Sequence, residues 1–207
     1  MRLVGVLLTV LLTGCASLSE DECRTADWAA IGYADGAAGR PGSRLEDHRE
    51  ACAEYGIAPV LAAYRAGRGE GLLEYCRPAR GYAEGLDGKT YRGVCPAHLE
   101  ADFVAAHQAG RDIHRLEEEA EDLAAEVTDL DQQLDTLRRR RASLKSAALT
   151  GETLEARTNA LLRLDDLDTE LRRLDNRRAD LLVRRVHLEE RAFRRRAEAA
   201  ARWSGKP

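Results

Sequence analysis

Cysteine carries most of the chemistry that this 207-residue chain advertises. Cys15 follows an apolar stretch from Leu3 to Leu12, broken only by Gly5 and Thr9 and preceded by the cationic pair Met1-Arg2. The stretch is about half of the ~20 residues a membrane span needs, so it reads as the apolar part of a secretory signal. In Leu12-Thr13-Gly14-Cys15 a branched apolar residue and two small residues precede a thiol. Small residues leave the backbone open to a processing protease. Residues 1–14 are therefore expected to be a signal peptide, with 15–22 as a tether.

Without Cys15 four cysteines remain: Cys23, Cys52, Cys76 and Cys95. An even set in an exported chain points to disulfides. Three connectivities are possible; Cys23–Cys52 with Cys76–Cys95 is favoured, because each pair would join the ends of adjacent helices. A four-thiolate zinc site needs Cys-x-x-Cys-like spacing, which the chain lacks. No metal or other cofactor is expected. His48, behind Glu46 and Asp47, is a candidate general base but reads better as a surface or capping residue. Asp27-Trp28 reads as a helix cap with a core indole, and Asp35 as a turn carboxylate. His107 and His114 are too far apart in sequence to hold a metal alone. No GxSxG or HExxH motif occurs, so no catalytic residue is assigned.

The elements that hold these residues are helical. Hydrophobic residues make up 44%, charged residues 33% and aromatics 5%, with a net charge of -4. That balance excludes a disordered chain and argues against non-specific nucleic-acid binding. Residues 23–95 hold all six tyrosines, and helices are expected near 26–38, 44–55, 59–75 and 79–87, with a long one from 97. Tyr33-x-x-Gly36, Tyr64-x-x-Gly67 and Tyr82-x-x-Gly85 form a weak repeat, with His107-x-x-Gly110 as a degenerate fourth copy. The pairs Gly32/Gly36, Gly67/Gly71 and Gly81/Gly85 lie four residues apart, hence on one helix face. Glycine costs about 1 kcal/mol of helix propensity relative to Ala, so close helix packing is expected to offset it.

From residue 97 the pattern becomes a coiled coil. Leu116, Leu123, Leu130, Leu137 and Leu144 recur every seventh residue, with Ile113, Ala120, Val127 and Leu134 on the second seam. Thr150-Gly151-Glu152 interrupts it. A second arm carries Leu167, Leu174, Leu181 and Leu188, with Leu164 and Leu171 beside them; Leu154 and Leu161 are out of phase. Folding near 150–152 sets residue i opposite roughly 302 minus i and brings acidic stretches against basic ones. Arg141, Arg178 and Arg185 fall at seam positions and leave homo-oligomerisation open. Phe103, Phe193 and Trp203 are expected to pack at the hairpin base against the tyrosine-rich segment. The fold class is thus all-α: a small disulfide-stapled helical head (23–96), a long antiparallel coiled-coil hairpin (97–203) and a disordered tail (204–207).

The N-terminal motif Leu12-Thr13-Gly14-Cys15 resembles the lipobox of bacterial lipoproteins, which implies that the Cys15 thiol takes a diacylglyceryl group and becomes the new N-terminus, with more than one acyl chain, palmitate among them, for durable anchoring. By similarity to enterobacterial sorting, Ala16 in place of Asp implies the outer membrane. Glu22-Cys23, Asp27-Trp28, Gly32-Tyr33-x-Asp35-Gly36, His48-x3-Cys52, Tyr64-x2-Gly67-x3-Gly71-Leu72, Tyr75-Cys76 and Val94-Cys95-Pro96 together resemble an uncharacterised proteobacterial lipoprotein family, known only as a domain of unknown function. The likeness covers roughly residues 20–115. It implies a small helical, periplasm-facing head behind a lipid anchor, and no activity. The expectation is a membrane-tethered structural protein that offers its hairpin to a protein partner and binds no nucleic acid. The alternative is a small-ligand-binding or enzymatic envelope protein, with a head pocket lined by Tyr33, Tyr64 and Tyr82.

Overall fold

The computed structural model describes residues 18–203, all-helical with no strand among them. Cys15, the expected signal segment (1–14) and the expected tail (204–207) lie outside the described residues. The chain divides into two compact units, which differ from the expected head and hairpin. One comprises residues up to Arg77 together with Tyr91–Ala101; the other comprises Pro78–Thr90 and everything from Asp102. The helix after Pro78 therefore groups with the hairpin.

The first unit contains α1 (Glu20–Arg24), α2 (Trp28–Ala37), α3 (Arg44–Ala53) and α4 (Leu61–Tyr75). Helix α1 begins within the expected tether, which ended at residue 22, and runs on to Arg24. Ser19 and Glu22 build it through a reciprocal capping box: the Glu22 amide donates to the Ser19 hydroxyl, and the Ser19 amide donates to the Glu22 carboxylate. Asp27 caps α2, accepting from the amides of Ala29 and Ala30. Helix α4 begins at Leu61, two residues beyond Pro59. Cys23, Trp28, Cys52 and Tyr64 form the buried core, flanked by Ile31, Leu45, Tyr55 and Ile57. Cys23 bonds to Cys52 and Cys76 to Cys95, each with Cα atoms 5.6 Å apart. The Tyr91 hydroxyl orders the approach to Cys95: it donates to Glu100 at 3.0 Å and accepts from the Cys95 amide at 2.9 Å.

The second unit contains α5 (Pro78–Leu86), α6 (Ala97–Thr150) from Asp102 onward, and α7 (Leu154–Trp203). Helices α6 and α7 close on one seam, with Ile113, Leu116, Ala120, Leu123, Val127, Leu130 and Leu134 from α6 meeting Leu167, Leu171, Leu174, Leu181 and Leu188 from α7. At 1.5 Å per residue, the 50 residues of α7 extend about 75 Å. The turn is tight. The Gly151 amide donates to Ala147, the Thr153 hydroxyl caps α7 by accepting from the Ala156 amide, and Arg157 donates back to the Gly151 carbonyl at 2.6 Å.

The register differs from expectation. Cross-arm ion pairs join residues whose numbers add to 303 for Glu126–Arg177, 309 for Asp131–Arg178 and Arg141–Asp168, and 313 for Glu117–Arg196. Ion-paired positions thus range from within one residue of the 302 rule to 11 residues beyond it, about one and a half heptads. Two features account for this. Helix α7 starts only at Leu154, and Leu154 and Leu161, out of phase with the seam, stay 82% and 58% exposed. Phe193 is a second correction: it is 74% exposed, whereas Phe103 and Trp203 are buried.

Candidate functional site

Every glycine of the three expected GxxxG pairs abuts the backbone of a neighbouring helix. In the first unit, a Cβ on Gly32 would lie 2.1 Å from the Tyr64 carbonyl oxygen, and one on Gly36 2.3 Å from that of Arg68. From the other side, Gly67 would meet Ala29 at 1.9 Å and Gly71 would meet Tyr33 at 2.2 Å. Helices α2 and α4 therefore touch backbone to backbone, which only glycine permits.

Helices α5 and α6 repeat this arrangement within the second unit. Gly81 faces the Phe103 carbonyl, Gly85 that of His107, and Gly110 that of Tyr82. The correspondence is atom for atom. Gly36 and Gly85 also approach the amides of Leu72 and Arg111; Gly71 and Gly110 approach those of Ala37 and Leu86. Gly32, Gly36 and Gly39 thus match Gly81, Gly85 and Gly88, each 49 residues on, while Tyr64, Arg68, Gly71 and Tyr75 match Phe103, His107, Gly110 and His114, each 39 on. Gly39 and Gly88 both have positive φ, 63° and 72°, and lie against the rings of Tyr75 and His114. Arg68 donates to the Arg40 carbonyl at 2.8 Å, and His107 Nε2 donates to the matching Lys89 carbonyl at 2.8 Å. The chain contains a duplicated helix pair, with one disulfide cysteine just before α5 and another just before α6. This corrects the expected fourth copy: the equivalent of Tyr64 is Phe103, one turn earlier than His107, and the second glycine of that pair is Gly110.

The copies differ around Asp35. In the first, the Asp35 carboxylate accepts from the Tyr64 hydroxyl at 2.7 Å and from His48 Nε2 at 2.8 Å. Both imidazole and carboxylate are nearly sealed, at 10% and 13% side-chain exposure. The His48 ring also stands edge-on to Trp28 and to Tyr64. Burial, reinforced by the hydrogen bond to Asp35, pushes the Tyr64 phenol far above its ordinary range, so it remains a donor. In the second copy Glu84 replaces Asp35 and pairs with Arg80 and Lys89, and Phe103 replaces Tyr64. Helix α3 has no counterpart there. It fully buries only His48 and Cys52, with Leu45 partly buried against the same core, so the His48 contacts and the disulfide are its main fastenings.

His48 is accordingly neither a surface nor a capping residue, and Asp35 sits inside α2 rather than in a turn. An imidazole oriented by a carboxylate is half of a hydrolytic triad. Here, however, the carboxylate's second partner is a phenol held protonated, and the cysteine one turn along α3, Cys52, is oxidised. The network closes on itself and fastens α3 to α2 and α4. Tyr64 is 1% exposed and Tyr82 8%, while Tyr33 projects into solvent at 44%, so the Tyr64 ring packs rather than lining a cavity. No group of three or more His, Cys, Asp or Glu that could hold a metal occurs among the described residues.

These features define a class: an all-helical protein built on a duplicated, glycine-packed, disulfide-tied helix pair, with a coiled-coil extension. Residues 27–112 match the family described as "Protein of unknown function (DUF2799)". The matched segment runs from the α2 cap to just beyond Gly110, so it contains the glycine contacts of both helix pairs, and most of the hairpin lies outside it. No curated protein and no solved structure matches the chain.

Proposed function

We propose that this protein is a lipid-anchored envelope lipoprotein of proteobacterial type, tethered to the outer membrane through Cys15 and facing the periplasm, whose hairpin tip engages a protein partner. The observation that carries the reading is the tip itself. Leu149, Leu154, Leu161 and Leu162 are 70%, 82%, 58% and 64% exposed around the turn. Scattered exposed leucines are ordinary, but a cluster at one end of an otherwise charged rod marks an interaction site. The arms satisfy their own seam, and Arg138, Arg141, Arg177, Arg178, Arg195 and Arg196 are each neutralised by a carboxylate of the opposite arm. That argues against nucleic acid, and the tip leucines remain an apolar cluster that the hairpin itself does not cover.

The test has two arms. Cys15→Ala should abolish incorporation of labelled fatty acid; unchanged labelling would remove the anchor from the reading. A photocrosslinker at Leu162 should capture a partner in the envelope, and Leu154→Asp with Leu161→Asp should abolish that capture while leaving helicity unchanged. Undiminished capture by the doubly substituted tip would remove the hairpin's role.

A further inference from the structure

We propose that a second copy of this chain docks antiparallel on the outer face of α7. The face is a second heptad seam. Ala179, Val183, Val186, Glu190, Phe193, Ala197 and Ala200 follow one another at alternating steps of three and four residues, and all are exposed. Val183, Val186 and Phe193 are 58%, 59% and 74% exposed. At 100° per residue this stripe lies well away from the seam of Leu181, Leu188, Ala192 and Ala199 that faces α6. A helix with two heptad seams is suited to a bundle of more than two helices, and one hairpin supplies only two.

The stripe is complementary to itself in one orientation. Run antiparallel, with opposed residue numbers adding to 383, Val183 meets Ala200 of the copy, Val186 meets Ala197 and Glu190 meets Phe193. Each layer pairs a larger side chain with a smaller or slimmer one, as interdigitating seams require. The flanking positions then set Glu189, bonded to Arg185 along its own helix, beside Arg196 of the copy, bonded to its own Glu117, and by symmetry the reverse, so that each pair joins an existing ion pair into a network. A parallel arrangement instead stacks Glu190 on Glu190 across the seam, a like-charge contact. Each Glu190 is bonded along its own helix to Arg194 at 2.7 Å, which leaves the aliphatic part of the side chain to cover the phenyl ring. The pairing is isologous and closed, giving a dimer rather than a filament. Because the overlap lies in the second half of α7, the two tips point away from each other and both stay free. The inference does not depend on the anchor or on the tip's partner.

The test uses the full chain in mild non-ionic detergent at about 100 µM. Val186→Cys and Ala197→Cys chains are oxidised separately and as a mixture. The expected result is a crosslinked dimer several-fold more abundant in the mixture than in either chain alone. Glu189→Arg should lower crosslinking when introduced into both chains. It should be restored when chains carrying Glu189→Arg are mixed with chains carrying Arg196→Glu. Val186, Ala197 and Glu189 are exposed, whereas Arg196 also pairs with Glu117 of the opposite arm; circular dichroism of every variant is therefore recorded first, and an unchanged spectrum keeps a negative result from being assigned to misfolding. Equal crosslinking in the single-variant samples would mean a parallel or collisional contact. Equal yield with a control cysteine at Arg163, or no crosslinking in the mixture, would likewise overturn the proposal.

Discussion

Two glycines of one helix should respond to alanine with opposite sign. Gly67 and Gly69 both lie within α4, where alanine is favoured over glycine by about 1 kcal/mol. At Gly69 a Cβ meets nothing within 4 Å, so Gly69→Ala should stabilise by that amount. At Gly67 the new carbon would sit 1.9 Å from the Ala29 carbonyl oxygen and 3.0 Å from its Cα. Backbone cannot rotate aside as a side chain can. Restoring even a 3.0 Å approach would push α4 from α2 by about 1 Å, enough to forfeit a quarter to a half of the dispersion well across that surface. Overpacking costs about 1–3 kcal/mol, occasionally more, and here it is opposed by the propensity gain. With backbone at 1.9 Å the cost falls at the upper end of that range, and Gly67→Ala should therefore destabilise by roughly 2 kcal/mol net. Amide hydrogen exchange on peptides from α2 and α4 reads both effects. Gly69→Ala should slow exchange about fivefold and Gly67→Ala should accelerate it by roughly 25-fold, since about 1.4 kcal/mol is a factor of ten. If both substitutions slow exchange, the backbone contact between the helices is not as described.

Three further outcomes follow from the same geometry. The Tyr82 hydroxyl is buried without a partner while that of Tyr64 serves Asp35, so in thermal unfolding Tyr82→Phe should be neutral or stabilising and Tyr64→Phe should cost about 1–3 kcal/mol. The raised Tyr64 phenol keeps its proton when the unfolded chain has lost it. Stability should therefore be level with respect to this group below pH ~10 and fall as pH rises above it, and in urea titrations Tyr64→Phe should remove its share of that fall. Reducing Cys23–Cys52 and Cys76–Cys95, which span 29 and 19 residues, should cost about 3–4 kcal/mol each; non-reduced protein should leave these four cysteines unalkylated.

Patterns carried by one segment were legible in the sequence, and those depending on a partner segment were less so. The heptads of α6 were plain because a leucine at every seventh position leaves one face to bury. The glycine spacings announced close packing, yet not which helices would touch. Alanine and phenylalanine hid the second copy: Phe103-x-x-Ala106-x-x-x-Gly110 fills the places of Tyr64-x-x-Gly67-x-x-x-Gly71, and the eye follows Gly110 to His107 instead. His48 was misread because its neighbours Glu46 and Asp47 are polar; its burial is decided by Asp35 and Tyr64, thirteen residues before it and sixteen after. Phe193 looked like a core residue by type alone, whereas its angular position on α7 already removes it from the Leu181–Leu188 seam. The capping box of α1 was present in Ser19-x-x-Glu22 and was hidden by the assumption of a tether.

The central claim, that the hairpin tip is the working surface, is tested most directly by capture of one defined partner in the intact envelope. A photocrosslinker at Leu162 should yield a single discrete adduct from the lipidated protein. That adduct should disappear with Leu154→Asp and Leu161→Asp and persist with a folded His48→Ala protein, since His48 only fastens α3. An adduct that survives the tip substitutions and vanishes with folded His48→Ala would contradict the account and move the working site to the Asp35–His48–Tyr64 network.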